Sequence, residues 1–470
     1  MTKELIGKGE SRILEFKKEL PKDSHKWIKS ISAFANGAGG ELVIGIDNQR
    51  NIIGLSSKED IFELGDKIAD VVSQSIEPLI IPDISAEEID GKQILVVKVY
   101  PGSNTPYYVK AEGKENGTYI RLGATTRNAD EAALEELSLR SKKLSYDQLP
   151  YPSLAVDKTD VKNLCADLST RAKHSITEND LINMGVLLKE NNIIVATRAY
   201  AILVGKHDYT SRIQCARFKG TERVDFLDKK EYEGPLIEQV ESAYKFVLNY
   251  LSKSIKIEGL VHDEEYELPP AAIRELIVNA AVHRNYLLPS SIQVAVYDDR
   301  VEISSPGSFF GTLRREEALQ GRSAIRNKIL ARVFEKADII EGWGTGLKRI
   351  VETCIENKIE PPELLEIGDM IRVNFYRHKS IMTDQVTDQV TDQVTDQVTD
   401  QVKRLLKVLK NKPLSTKEIL SAMNMKHRPT LMKDYIVPAL NAHLIEQTDP
   451  ESPNSPMQKY RITVSKKIEK

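Results

Sequence analysis

The tetrapeptide Thr-Asp-Gln-Val occurs five times in tandem across residues 383–402. In a helix, a repeat of this length carries each valine about 40° further round, leaving a thin and winding apolar stripe. In a strand, Asp and Val share one face and Thr and Gln the other. Neither form buries enough apolar surface to offset the entropy of ordering the backbone, so the array builds no core of its own. The chain must fold as separate bodies on its two sides. The simplest reading of the array is a spacer. The second is a self-pairing helix that joins protomers into a homo-oligomer.

The two sides differ in charge. Residues 403–470 hold 14 Lys and Arg against 6 Asp and Glu, a net of +8, within a 470-residue chain whose total is -3. A small basic module on an acidic body reads as a nucleic-acid-binding end attached to something else. The overall charge excludes a uniformly basic nucleic-acid coat. Apolar residues make up 41% and charged residues 29%, enough for packed cores rather than general disorder. Cys165, Cys215 and Cys354 share no CxxC spacing, so a zinc knuckle or disulfide framework is not expected, and three separate thiols suit a reducing cytosol. There is no N-terminal apolar signal segment and no apolar run of roughly 18 residues. The expectation is a cytoplasmic protein with no membrane partner.

Two softer boundaries are a Pro- and polar-rich stretch at 140–157 and the segment VHDEEYELPP at 261–270. The expected organisation is an N-terminal α/β domain over 1–140, a connecting α/β scaffold over 155–255, a nucleotide domain over 256–380, a linker over 381–402 and a basic module over 403–465. The fold class is α+β, multidomain. In the scaffold, IQCARF reads as a strand. Leu236, Val240, Tyr244 and Leu248 put one apolar face on a long helix, and no catalytic constellation accompanies them.

Chemistry concentrates in PPAAIRELIVNAAVHRNY. A helix starting at Pro270 places Glu275, Asn279 and His283 one turn apart on one face. An Asn amide oxygen can ligate Mg²⁺, and a Glu one turn earlier can polarise a water. An amphipathic helix with a merely polar face is the plainer alternative. Two strands joined at Asp298-Asp299 follow, then a Pro-Gly loop, then Gly342, Gly344 and Gly346 in a GxGxG run opening a helix. Such glycines let backbone amides approach phosphates.

This pairing resembles the GHKL, or Bergerat-fold, ATPase family in a divergent form. The resemblance implies an α/β sandwich that binds ATP with Mg²⁺. Glu275 and Asn279 match its N-box, Glu275 in the catalytic place and Asn279 as metal ligand. His283 follows them in the ATP-binding set, and the three glycines match the second glycine box. SSPGSFFG at 304–311 stands where a DxGxG box would read adenine, and Arg326 and Asn327 fall where a lid is expected. Relatives carry a RecG-related helicase label, but the GxxxxGK[ST] signature is absent, so a motor helicase is not expected. ATP binding is expected, with weak turnover at most.

Near the N-terminus, Glu10, Glu15 and Lys17 lie close in sequence, and Asp47 follows the strand ELVIGI. Converging carboxylates can hold Mg²⁺ or Mn²⁺ for phosphodiester cleavage. Ordinary charges at a strand edge are the alternative. ESRILEFK, SAFANGAGGELVIGID and GTYIRLG together resemble the Schlafen/AlbA-2 domain family over about residues 1–135. Its nucleolytic members use two Glu, matched by Glu10 and Glu15, and an acid after the central strand. That acid falls at Asn48 here, with Asp47 as the substitute. In the family's DNA-binding members, Lys17, Arg121 and Arg127 would be phosphate contacts.

The basic module reads as helix, helix capped by Ser415 or Thr416, a KHRP turn, a third helix with Leu431, Tyr435, Leu440 and Leu444 inward, and a hairpin. That order is a winged helix-turn-helix. It resembles the module that ends many Schlafen-like bacterial regulators. Lys426, His427, Arg428 and Lys433 would then lie at DNA, with Lys459 and Arg461 on the wing. The expectation for the whole chain is an ATP-binding, DNA-binding transcriptional regulator. The alternatives are a metal-dependent nuclease acting on tRNA or single-stranded DNA in phage defence, and a non-catalytic nucleic-acid-binding scaffold that takes DNA or RNA.

Overall fold

The computed structural model of the chain describes residues 6–7, 9–55, 60–258, 261–340, 346–377, 405–406, 408–409, 413–423, 425, 427–441, 444–448 and 458–462. It forms two compact units, residues 1–378 and 379–470. The Thr-Asp-Gln-Val array lies outside the described residues.

The first unit begins with β1 (Leu14–Lys17), α1 (His25–Asn36), β2 (Gly40–Ile44), α2 (Ile61–Ser75), β3 (Asp83–Ile89) and β4 (Lys92–Val99). Their sheet runs β1-β2-β4-β3, with β1 parallel to β2 and the other pairs antiparallel. Leu42, Ile44, Leu95 and Val97 pack under α1 with Trp27, Ile31 and Phe34. Their neighbours Val43, Ile94 and Val96 pack on the opposite face with Leu14 and Phe16. Both faces of the central strands are covered, which is why they read as unbroken apolar runs. The hairpin β5 (Tyr119–Leu122) and β6 (Thr125–Asn128) lies against α1, and α3 (Glu131–Ser141) follows.

A second, six-stranded sheet is built from β7 (Ile213–Phe218), β8 (Phe226–Tyr232), β9 (Ile292–Val296), β10 (Arg300–Pro306), β11 (Glu363–Ile367) and β12 (Met370–Tyr376), in the order β8-β7-β9-β10-β12-β11. Only the β7–β9 pair is parallel. Its crossover contains α4 (Leu236–Asn249) and α5 (Pro270–His283), which pack on each other over the sheet. The strands of the stretch read as scaffold therefore belong to the same sheet as those of the nucleotide segment. One core runs from Val161 to Phe375 without a break near residue 256.

The stretch at 140–157, read as a boundary, is a clamp. Asp147 is fully buried, and its carboxylate accepts from the backbone N–H groups of Ile329 at 2.7 Å and Leu330 at 2.9 Å. These open α6 (Lys328–Lys336), whose first N–H groups have no partner within the helix. Burial pushes the Asp147 carboxyl up, and these bonds work against that shift.

The second unit contains β13 (Leu414–Ser415), α8 (Thr416–Ala422), α9 (Arg428–Leu431), α10 (Val437–Asn441), β14 (Ile445–Gln447) and β15 (Lys459–Ile462). Its sheet order is β13-β15-β14, all antiparallel. The sequence reading lacked β13, which is only two residues long. Ser415 caps α8 in a reciprocal box with Glu418. The expected third helix continues past Pro438, but through a widened turn at Met432–Ile436. A proline cannot donate to the preceding turn, and widening the ladder accommodates the missing bond.

Candidate nucleotide site

α5 starts where its sequence says it should. Pro270 occupies the first helical position, where its missing N–H costs nothing. Ile273, Ile277 and Ala281 are buried in the core, which turns the opposite stripe toward a cavity. Glu275, Asn279 and His283 all line that cavity, whose volume is about 210 Å³. The Asn279 amide donates to Glu275 Oε1 at 3.1 Å. That bond leaves the Asn279 amide oxygen available to a ligand.

Opposite them lies α7 (Gly346–Glu356). Gly346 also lines the cavity, and a Cβ there would overlap the Glu275 carboxylate. Only glycine permits this approach of the helix start to the N-box acid. Gly342 and Gly344 lie outside the described residues. The remaining walls are largely apolar, with Ile303, Phe309, Phe310 and Leu364 among them. The sequence reading named the loop at 304–311 but not its two phenylalanines as walls, nor Arg322 and Ile325, which also face the cavity. No periodicity marks these loop residues.

Arg326 and Asn327, expected in a lid, are buried at the end of α5, where Arg326 also lines the cavity. The Asn327 amide donates to the carbonyls of Val282 and Arg284 at 2.8 Å each, and Arg326 Nη1 donates to that of His283 at 2.8 Å. These carbonyls close the helix and have no onward partner within it. Arg326 also donates to the Ser308 carbonyl at 2.7 Å and to Glu136 of α3 at 3.1 Å. One guanidinium thus holds α5, the loop and the N-terminal domain together. Gly307, at φ +110°, lets the loop come close to it.

His283 sits behind Arg326. Burial, aided by the Arg326 charge, pushes its pKa down from 6.5 to about 4. His207, enclosed by Tyr146 at 3.0 Å and Ser211 at 2.7 Å, is also depressed by burial to about 4. Both are neutral when folded, so between pH 6.5 and 4 the unfolded chain binds more protons. Stability that is complete above pH 6.5 is lost as the pH falls, at up to about 1.4 kcal/mol per pH unit for each histidine. Melting curves from about pH 7.5 to 5 should show a falling Tm, and a His207→Gln, His283→Gln pair should flatten that slope. An equal slope in the double variant would refute the assignment.

The N-terminal charges are arranged differently from a metal centre. Glu15 is buried, and its two oxygens pair with Lys17 at 2.6 Å and Arg121 at 2.5 Å. Glu10 is exposed and accepts from the Phe16 backbone at 2.9 Å. Asp47 closes its own turn by accepting from the backbone and side chain of Asn51, which hold its carboxyl below the usual range. Among the described residues no group of three or more His, Cys, Asp and Glu side chains could hold a metal ion. Asn48 is exposed. Arg121 is 5% exposed and donates to Glu15, Thr126 and the carbonyls of Ser11 and Leu14. It is a strut rather than a surface phosphate contact. Arg127 on β6 is exposed.

In the second unit, Lys459 and Arg461 lie exposed on β15, Arg461 paired with Glu446 at 2.6 Å. His427 is exposed and bonds Thr430 at 3.1 Å. Arg428 opens α9 and Lys433 lies in the widened turn, while Lys426 is outside the described residues.

These observations meet three family matches. Residues 10–130 match the family described as "Schlafen, AlbA_2". Residues 290–375 match "Putative ATP-dependent DNA helicase recG C-terminal", a stretch that starts after the N-box helix. Residues 400–463 match "Filamentation induced by cAMP protein Fic-like, C-terminal domain". The chain therefore carries a Schlafen AlbA_2 domain and an ATPase-like domain in a mixed α+β architecture. Its C-terminal match is Fic-like, where a regulator-type module had been expected. No curated protein matches the chain.

Among solved structures, a Corynebacterium diphtheriae protein is 18% identical, with 96% of this chain and 92% of that chain covered and a TM-score of 0.44. The N-terminal domain of a RecG-related protein from Nitrosomonas europaea is 25% identical over 27% of this chain and 92% of its own, with a TM-score of 0.21. A Fic family protein from Desulfovibrio desulfuricans is 16% identical, covering 72% and 78%, with a TM-score of 0.14. Among the described residues no helix is long and apolar enough to cross a membrane.

Proposed function

We propose that the chain is an ATP-binding, DNA-binding transcriptional regulator. The observation that carries this reading is the single cavity shared by Glu275, Asn279, His283 and Gly346. Its donor set fits Mg-ATP. An amide oxygen is one of the hard oxygen ligands Mg²⁺ takes when phosphates and water complete its shell. Asn279 would hold the ion, which would neutralise phosphate charge. The apolar walls suit a planar base. Glu275, bonded to Asn279, is also the group placed to orient a water.

The second unit supplies the DNA-binding end. Its described order of β13, α8, the helical stretch from α9 to α10, β14 and β15, with β13 paired to β15, supports a winged helix. The +8 charge of residues 403–470 favours a polyanion. ATP governs DNA binding here if it favours one arrangement of the chain over another.

Mg-ATP at about 100 times its Kd should raise stability by about 2.7 kcal/mol, read as a thermal shift. Asn279→Ala should abolish the shift at the same concentration. Equal shifts in both proteins would remove Asn279 from the site. DNA affinity unaltered by Mg-ATP would remove the coupling.

A further inference from the structure

A second cavity of about 130 Å³ lies between the N-terminal domain and the ATPase-like domain. It shares Gly307, Ser308 and Phe309 with the nucleotide cavity, so one loop is a wall of both. Arg12, Arg121 and Arg140 line it. Arg121 is committed to Glu15, and Arg140 donates to the Asn36 carbonyl at 2.7 Å. Arg12 has no such commitment. Its Nε and Nη1 are buried with no hydrogen-bond partner, and its nearest acid, Glu366, stands 3.6 Å away with Oε1 equally unpartnered. A buried guanidinium left short of acceptors is costly, and such sites are completed by ligands.

The carboxylates nearest this guanidinium are Glu366 and Glu136. Glu136 is already engaged by Arg326 at 3.1 Å and Asn285 at 2.8 Å. Of the other acids on the lining, Asp130 caps α3 and Asp369 is exposed. The lining carries three arginines and three carboxylates, so Arg12 stands out by its unpartnered nitrogens and not by net charge.

We propose that this seam is an anion site in which Arg12 and Arg140 receive a phosphate group. A guanidinium fork matches phosphate oxygens in geometry and charge. The phosphate belongs either to a small free anion or to a nucleic-acid strand laid along the Schlafen AlbA_2 domain. Glu366 is the competitor that the incoming phosphate displaces.

The test is isothermal titration of the full chain with inorganic pyrophosphate and, separately, with a short single-stranded DNA. Both titrations are repeated on Asn279→Ala, so that binding at the nucleotide cavity is told apart from binding at the seam. Arg12→Gln should weaken the responding ligand about tenfold, the loss expected for one charge-assisted contact. Glu366→Gln should strengthen it, a gain that a damaged fold cannot mimic. A response confined to pyrophosphate assigns the free anion, and one confined to DNA assigns the strand. Affinities for both ligands that ignore Arg12→Gln and Glu366→Gln would overturn the proposal.

Discussion

Arg326→Ala is expected to destabilise the larger unit by about 3–5 kcal/mol, the cost of breaking a buried charge pair from one side. The side chain is 7% exposed and lies over the Phe310 ring. Its removal leaves the carbonyls of His283 and Ser308 without their donor and takes the cation from Glu136. Three elements far apart in sequence lose their common partner at once. Lysine should not rescue, because a point charge cannot serve three acceptors set around a planar fork. ATP binding should fall with stability, since α5 and the loop that it joins form opposite walls of the cavity. Urea unfolding followed by a thermal shift with Mg-ATP reads both. A loss under about 1 kcal/mol, within the range of ordinary surface changes, would contradict this account.

The second large effect separates two arginines that the sequence treats alike. Arg121→Ala should cost the N-terminal domain about 3 kcal/mol or more, because Glu15 stays buried with only Lys17 and two backbone carbonyls lose a donor. Arg127→Ala should leave stability within about 0.5 kcal/mol, since it is exposed. In the proposed nucleic-acid binding the expected order reverses. Arg127→Ala should weaken binding and reduce its salt dependence, as the loss of one phosphate contact does. If Arg121→Ala melts normally and loses nucleic acid, the strut assignment is wrong.

Much of the candidate site was legible in the sequence because it rests on one helix. Spacing of 3.6 residues per turn places Glu275, Asn279 and His283 together wherever the helix goes, and Pro270 announces its start. The same holds for the strands of the N-terminal sheet, whose apolar runs reflect burial on two faces. Arg121 and Arg326 show the limit. Both looked like accessible cations, one for phosphate and one for a lid. Each owes part of its burial to distant partners, Arg121 to Glu15 and Arg326 to Glu136, and no local pattern records that.

By itself the sequence determined the helix-borne polar stripe, the capping of α8, the apolar strands and the separation of a basic end from an acidic body. These are properties of neighbours along the chain, governed by propensity, periodicity and charge. Only the tertiary structure decided that strands on both sides of residue 256 share one sheet, that Asp147 clamps a helix starting at residue 328, and that Arg12 faces an arginine-lined seam. Each of these depends on which groups lose water together, and that is set by how distant segments pack.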